Sequence, residues 1–144
     1  MTPYLLDTNV LAEASKPAPD AACLAWLEAQ RGNCAISTVT VAELRYGIER
    51  FPEGKRKAAA ETWFRFMMED YSGACIAFDG PAATEWGRLA AELEAHYGSD
   101  WWKTFDFRDT QIAAIAREYG LTVATRNTKH FPFCQTVNPF NQGS

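Results

Sequence analysis

The sequence predicts an α/β protein: a three-layer α/β/α sandwich around a mainly parallel sheet. Two observations carry this. Short apolar runs alternate along the chain with longer segments of helical periodicity. The short runs are also apolar throughout, with no in–out alternation, as strands covered on both faces must be.

The strands read as Tyr4-Leu5-Leu6, Cys34-Ala35-Ile36, Ala74 to Phe78 and Leu121 to Ala124. Thr8 and Asn9 stand where a helix starts after the first of them. Ser37 and Thr38 are placed to cap a helix after the second. A further helix begins after Gly54 and presents Trp63, Phe66 and Met67 as its apolar face. Asp79-Gly80-Pro81 is a helix start, and Trp86, Leu89, Ala90, Leu93 and Tyr97 form one stripe that stops at Gly98. The last helix runs from about Phe107 to Tyr119, with Gly120 at its C-terminal cap. No repeat, low-complexity stretch or linker interrupts this order, so residues 1–144 read as one domain.

Composition narrows the function classes. A 47% hydrophobic and 22% charged chain is globular, which sets disordered and fibrous classes aside. Met1-Thr2-Pro3 enters an apolar run with no basic stretch before it, and no run is long enough to span a bilayer, so a cytoplasmic protein without membrane association is expected. Cys23, Cys34, Cys75 and Cys134 are widely spaced without C-x-x-C, and read as reduced residues packed in the core. A net charge of −4 excludes binding of nucleic acid by overall charge alone. Local contacts would have to come from groups such as Arg108, Arg126 and Lys129, which lie close in sequence to acidic positions. Lys55-Arg56-Lys57 reads as a solvated helix face.

In parallel α/β sheets, ligands gather beyond the carboxyl ends of the strands. Asp7 stands there, although capping of the next helix explains it equally well. Glu43 shares a helical face with Val39, Ala42 and Tyr46, where a carboxylate needs a partner or a metal; a capping box, Thr40-x-x-Glu43, is the alternative. Asp109 shares a face with Ile112, Ala113 and Ala116, and Asp106-x-x-Asp109 also fits a plain helix start. Three carboxylates converging on one sheet edge would repel one another unless a cation joins them. An all-oxygen acidic pocket suits Mg²⁺ or Mn²⁺, and such an ion suits phosphate chemistry.

The order and spacing of several short motifs then resemble the PIN-domain ribonucleases, specifically VapC-type toxins of toxin–antitoxin modules and their FitB-like relatives. The motifs are Leu5-Leu6-Asp7-Thr8-Asn9-Val10-Leu11, Ile36-Ser37, Ala42 to Ile48, Asp109-Thr110-Gln111-Ile112-Ala113-Ala114, Thr125-Arg126-Asn127 and Asn138-Pro139-Phe140. The resemblance implies a PIN-like fold and an endoribonuclease that hydrolyses RNA phosphodiesters at Mg²⁺ or Mn²⁺. Asp7, Glu43 and Asp109 match the family's acids. It further implies a homodimer and a cognate antitoxin whose peptide packs between helices, with the helices spanning Thr38 to Asp70, and Tyr46, Trp63 and Phe66 on them, as the clamp. Packing in the core is the alternative for each aromatic.

Two departures stand out. Many relatives carry a fourth acid where Asn127 or His130 stands here; Asn127 has a neutral oxygen to offer a metal, His130 a proton or a phosphate contact, and Asp106 a replacement charge. Thr8 is a further auxiliary candidate. Gly98-Ser99-Asp100-Trp101-Trp102-Lys103 places two tryptophans in a connection, where both are expected to cover core; stacking on bases and contact with a partner subunit are the alternatives. Two other functions compete: phosphoryl transfer through an aspartyl intermediate, weakened because Thr8-Asn9 lacks the second acid two residues on, and a degenerate PIN domain that binds a partner or RNA without catalysis.

Overall fold

The computed structural model describes residues 3–140; the Met1-Thr2 start lies outside the described residues. Five strands form one sheet: β1 (Tyr4–Leu6), β2 (Cys34–Ser37), β3 (Cys75–Ile76), β4 (Thr122–Ala124) and β5 (Thr136–Val137). Their order is β3-β2-β1-β4-β5, and every pairing is parallel. The first strand is therefore central, held in register by Tyr4 opposite both Cys34 and Thr122.

The helices are α1 (Thr8–Glu13), α2 (Ala21–Ala29), α3 (Thr38–Glu49), α4 (Lys55–Asp70), α5 (Gly80–Tyr97), α6 (Trp101–Thr104) and α7 (Phe107–Tyr119). They cover both faces. Successive residues of β1 point to opposite sides, so Leu5 packs with Leu89, Leu93 and Ile112 of α5 and α7, while Leu6 packs with Val10, Cys23 and Met67 of α1, α2 and α4. Leu5 and Leu6 are fully buried, each contributing about 2–3 kcal/mol. This is the expected three-layer sandwich.

Several elements depart from the sequence reading. Of the run Ala74 to Phe78, only Cys75–Ile76 pairs with β2. β5, α2 and α6 were not anticipated. Cys75 is exposed, so it is not a core residue, whereas Cys23 and Cys34 are buried; all four cysteines are free. On the apolar face assigned to α4, Met67 is buried but Phe66 is 55% exposed. Trp101 is buried and Trp102 half exposed, so only the first covers core.

Candidate active site

Asp7 sits where the central strand stops. Its backbone N–H donates to the Ala124 carbonyl at 2.9 Å, carrying the pairing with β4 one residue past the strand. The capping alternative holds, and it does not withdraw the residue from the strand end. Oδ1 accepts from the Thr8 N–H at 2.8 Å, so Asp7 is the N-cap of α1, while the same carboxylate faces a cleft. Oδ2 accepts from the Thr125 hydroxyl at 2.8 Å, a buried contact between residues 118 apart. Burial pushes the Asp7 pKa up, and the Thr125 and Thr8 hydrogen bonds oppose that rise.

Glu43 reaches the same cleft from α3. The N-cap of that helix is Ser37, whose hydroxyl accepts from the Thr40 N–H at 3.1 Å, so the Thr40-x-x-Glu43 capping box does not form. Glu43 instead accepts from the Thr8 hydroxyl at 3.0 Å. The face it occupies is mixed: Val39 is buried, but Ala42 and Tyr46 are exposed. Burial raises the Glu43 pKa, offset by Thr8 and then by Arg108.

Asp109 enters from the first turn of α7, anchored by buried Ile112, Ala113 and Ala116. Its pKa is pushed up to about 7, first by burial and then by the charges of Asp7, Asp106 and Glu43. His130, on a single 3₁₀ turn (Thr128–His130), places Nδ1 3.6 Å from its carboxylate. Asp106 caps α7 through the Arg108 N–H at 2.7 Å and also lines the cleft. The Arg108 guanidinium grips Asp106 with two bonds of 3.0 and 3.1 Å and lies 3.6 Å from Glu43. Its hydrogen bond holds the Asp106 pKa below the usual carboxylate range.

The cleft encloses about 330 Å³ and brings together Asp7, Thr8, Glu43, Asp106, Arg108, Asp109, Asn127 and His130 from the sequence candidates. Asn9 and Ala12 complete its lining. Arg126 and Lys129 do not line it; the Arg126 guanidinium lies 3.8 Å over the Phe140 ring. Thr125 was missed as a site residue, although a hydroxyl directly after the apolar run Leu121 to Ala124 was the available signal.

As the side chains stand, no three Asp, Glu, His or Cys among the described residues are close enough to hold a metal ion. The donor set nevertheless fits a hard divalent cation: it is all oxygen, and Asp109 stays hard to ionise while the neighbouring acids press on it. Arg108 partly supplies the missing positive charge by bridging Glu43 and Asp106.

The PIN domain model matches residues 4–135, a stretch that includes every acid of the cleft. The chain belongs to the PIN-domain family. Within that family it is 34% identical over 139 residues to the Toxin FitB of Neisseria gonorrhoeae, covering 95% of this chain and 96% of the relative. It is 36% identical over 140 residues to the VapC ribonuclease Y4jK of Sinorhizobium fredii, covering 94% and 96%. The fold of this PIN domain superimposes on a solved chain from FitAB bound to an IR36 DNA fragment with a TM-score of 0.85 and 30% identity, covering 98% of each chain.

Proposed function

We propose that this PIN-domain ribonuclease of the VapC/FitB toxin type hydrolyses RNA phosphodiesters in the acidic cleft, with Asp7, Glu43 and Asp109 holding one divalent ion, Mg²⁺ or Mn²⁺. The observation that carries the proposal is the convergence of three acids from three separate elements, which leaves Asp109 with a pKa of about 7. When bound, the ion supplies Lewis-acid polarisation of the phosphate and an acidified water.

The chain's own residues do the positioning. The Thr8 N–H and the Thr125 hydroxyl fix both oxygens of Asp7, so its carboxylate needs little reorganisation. The Thr8 hydroxyl aims Glu43 inward from across the cleft. Arg108 and His130, both more than half exposed at the cleft, are the groups that meet the substrate's phosphates, and Asn127 offers a neutral amide beside them. Arg126 and Lys129 then serve RNA outside the cleft.

A cognate antitoxin segment fits the groove of about 500 Å³ between α2 and α4, where Leu24, Leu27, Trp63, Phe66 and Tyr71 offer apolar surface. The protein acts as one PIN unit in a cytoplasmic homodimer. Among the described residues no helix is long and apolar enough to cross a membrane.

Purified protein freed of antitoxin should cut RNA with Mg²⁺ and stop on addition of EDTA. Asp7→Asn should abolish cutting, and activity surviving that change overturns the mechanism. Calorimetry should show Mn²⁺ binding that disappears in Asp109→Asn.

A further inference from the structure

Beside the acidic cleft lies a second pocket of about 510 Å³ that no step above uses. Glu43 and Arg108 line both, so the two spaces share a wall. The pocket presents apolar surface from Val39 and Ala42, the ring of Tyr46 and the side chain of Gln111. Tyr46 is 59% exposed, and the Arg50 guanidinium lies 5.3 Å from its ring centroid. The Gln111 side chain, half-buried, makes no hydrogen bond to another described residue. Tyr46 is absent from the lining of the Trp63–Phe66 groove, so it belongs to a different surface from those two aromatics.

Each part suits one component of a nucleotide. An exposed aromatic ring backed by a guanidinium is a stacking platform for a base. An unpartnered carboxamide carries both a donor and an acceptor, which is what reading a base edge requires. Arg108 lines both spaces at the shared wall, where a guanidinium suits the backbone phosphate that joins a base in one to a scissile bond in the other. We infer that the Tyr46–Gln111 pocket is a nucleobase subsite for single-stranded RNA, which seats the base next to the phosphodiester held at the acids. The inference rests on the reading of the cleft as an RNA-cleaving site and adds where base selectivity arises. A folded double helix does not meet the requirement, because its bases are already stacked.

The test is fluorescence anisotropy of end-labelled single-stranded oligoribonucleotides with the full chain in EDTA, where nothing is cut. Tyr46→Ala should weaken binding at least about fivefold and Tyr46→Phe by less than about twofold, since the ring and not the hydroxyl does the stacking. An abasic ribose-phosphate oligomer should bind the parent and Tyr46→Ala alike. With Mg²⁺ restored, Gln111→Ala should broaden the set of bases flanking the cut sites. Equal binding by Tyr46→Ala and the parent overturns the subsite. So does a change in sedimentation of Tyr46→Ala, which would make this face a contact between subunits. If the parent binds the oligomer but never cuts it with Mg²⁺, the catalytic reading fails while the subsite stands; if it binds no oligomer in EDTA the subsite falls, and the catalytic reading falls with it only if Mg²⁺ restores no cutting.

Discussion

Replacing Asp109 with asparagine should stabilise the metal-free protein, and the gain should grow with pH. Asp109 has a pKa of about 7 against an ordinary 3.8, because burial and three neighbouring acids disfavour its charge. A folded-state pKa above the unfolded one means that stability is greatest at low pH and is lost as pH rises through the interval between the two values. At about 1.4 kcal/mol per pH unit, the raised pKa costs the fold roughly 4 kcal/mol at pH 8, where the buried group must ionise, and roughly 1.5 kcal/mol at pH 5, where it stays protonated while the unfolded chain ionises it. Side-chain relaxation lowers both figures. Asparagine keeps the shape and removes the charge. For a chain of this length about 3 °C of Tm accompanies each kcal/mol, so Asp109→Asn should melt roughly 6–12 °C above the parent at pH 8 and only a few degrees above it at pH 5. Thermal melts in EDTA across pH 5–8 read this directly. Saturating Mn²⁺ at pH 8 should raise the Tm of the parent and leave the variant unmoved. A variant no more stable than the parent at pH 8, or a gain that ignores pH, refutes the view that the acids are crowded and lack a cation.

Further outcomes follow from single contacts. Thr125→Val removes the buried hydroxyl that holds Asp7 and accepts from the Asn127 N–H, and should cost about 1–2 kcal/mol in denaturant unfolding along with a fall in RNA cleavage. Trp101→Ala should cost about 3–5 kcal/mol because the ring is buried, while the same change at exposed Trp102 should cost under about 0.5 kcal/mol by the same measurement. Gly120 closes α7 at φ 69°, so Gly120→Ala should cost about 1 kcal/mol from backbone strain alone, there being no atom within 4 Å for the added methyl to meet.

What could be read in advance divides along physical lines. The central strands were legible because continuous apolar character marks burial on both faces, and the helix starts at Ser37, Asp79 and Asp106 because a capping side chain is a local signal. β3 shrank and β5 went unseen because hydrogen-bond pairing at a sheet edge involves two residues a strand, too few to leave a periodicity. α2 begins at Asp20, whose side chain accepts from the Cys23 N–H, and it went unseen although that cap is a local signal. Helical spacing put Tyr46 and Phe66 on apolar faces; it carries no information about how far a neighbouring element covers such a face, and here Val39 and Met67 are covered while the two rings stay more than half exposed. At the site, Glu43 and Asp109 were accessible as charges on helical faces with apolar neighbours, Asp7 as a carboxylate at a strand end, and all three as matches to the acids of the resembled family. Thr125 was not, since a threonine after a strand is unremarkable until the fold sets it 2.8 Å from Asp7.

The bond between Thr125 and Asp7 also has a consequence in time. Asp7 leaves the ribosome well ahead of its hydroxyl partner and of the Ala124 carbonyl that anchors its backbone, which come 118 and 117 positions later. Until that distant segment arrives, β1 lacks one of its two neighbours and Asp7 has nothing to hold its outer oxygen. A nascent chain that has exposed Asp7, Glu43 and Asp109 therefore still lacks the contacts that hold Asp7 at the cleft. On the proposed function, cutting therefore waits for β4 and Thr125, and the order of synthesis itself delays the activity beyond the emergence of the acids.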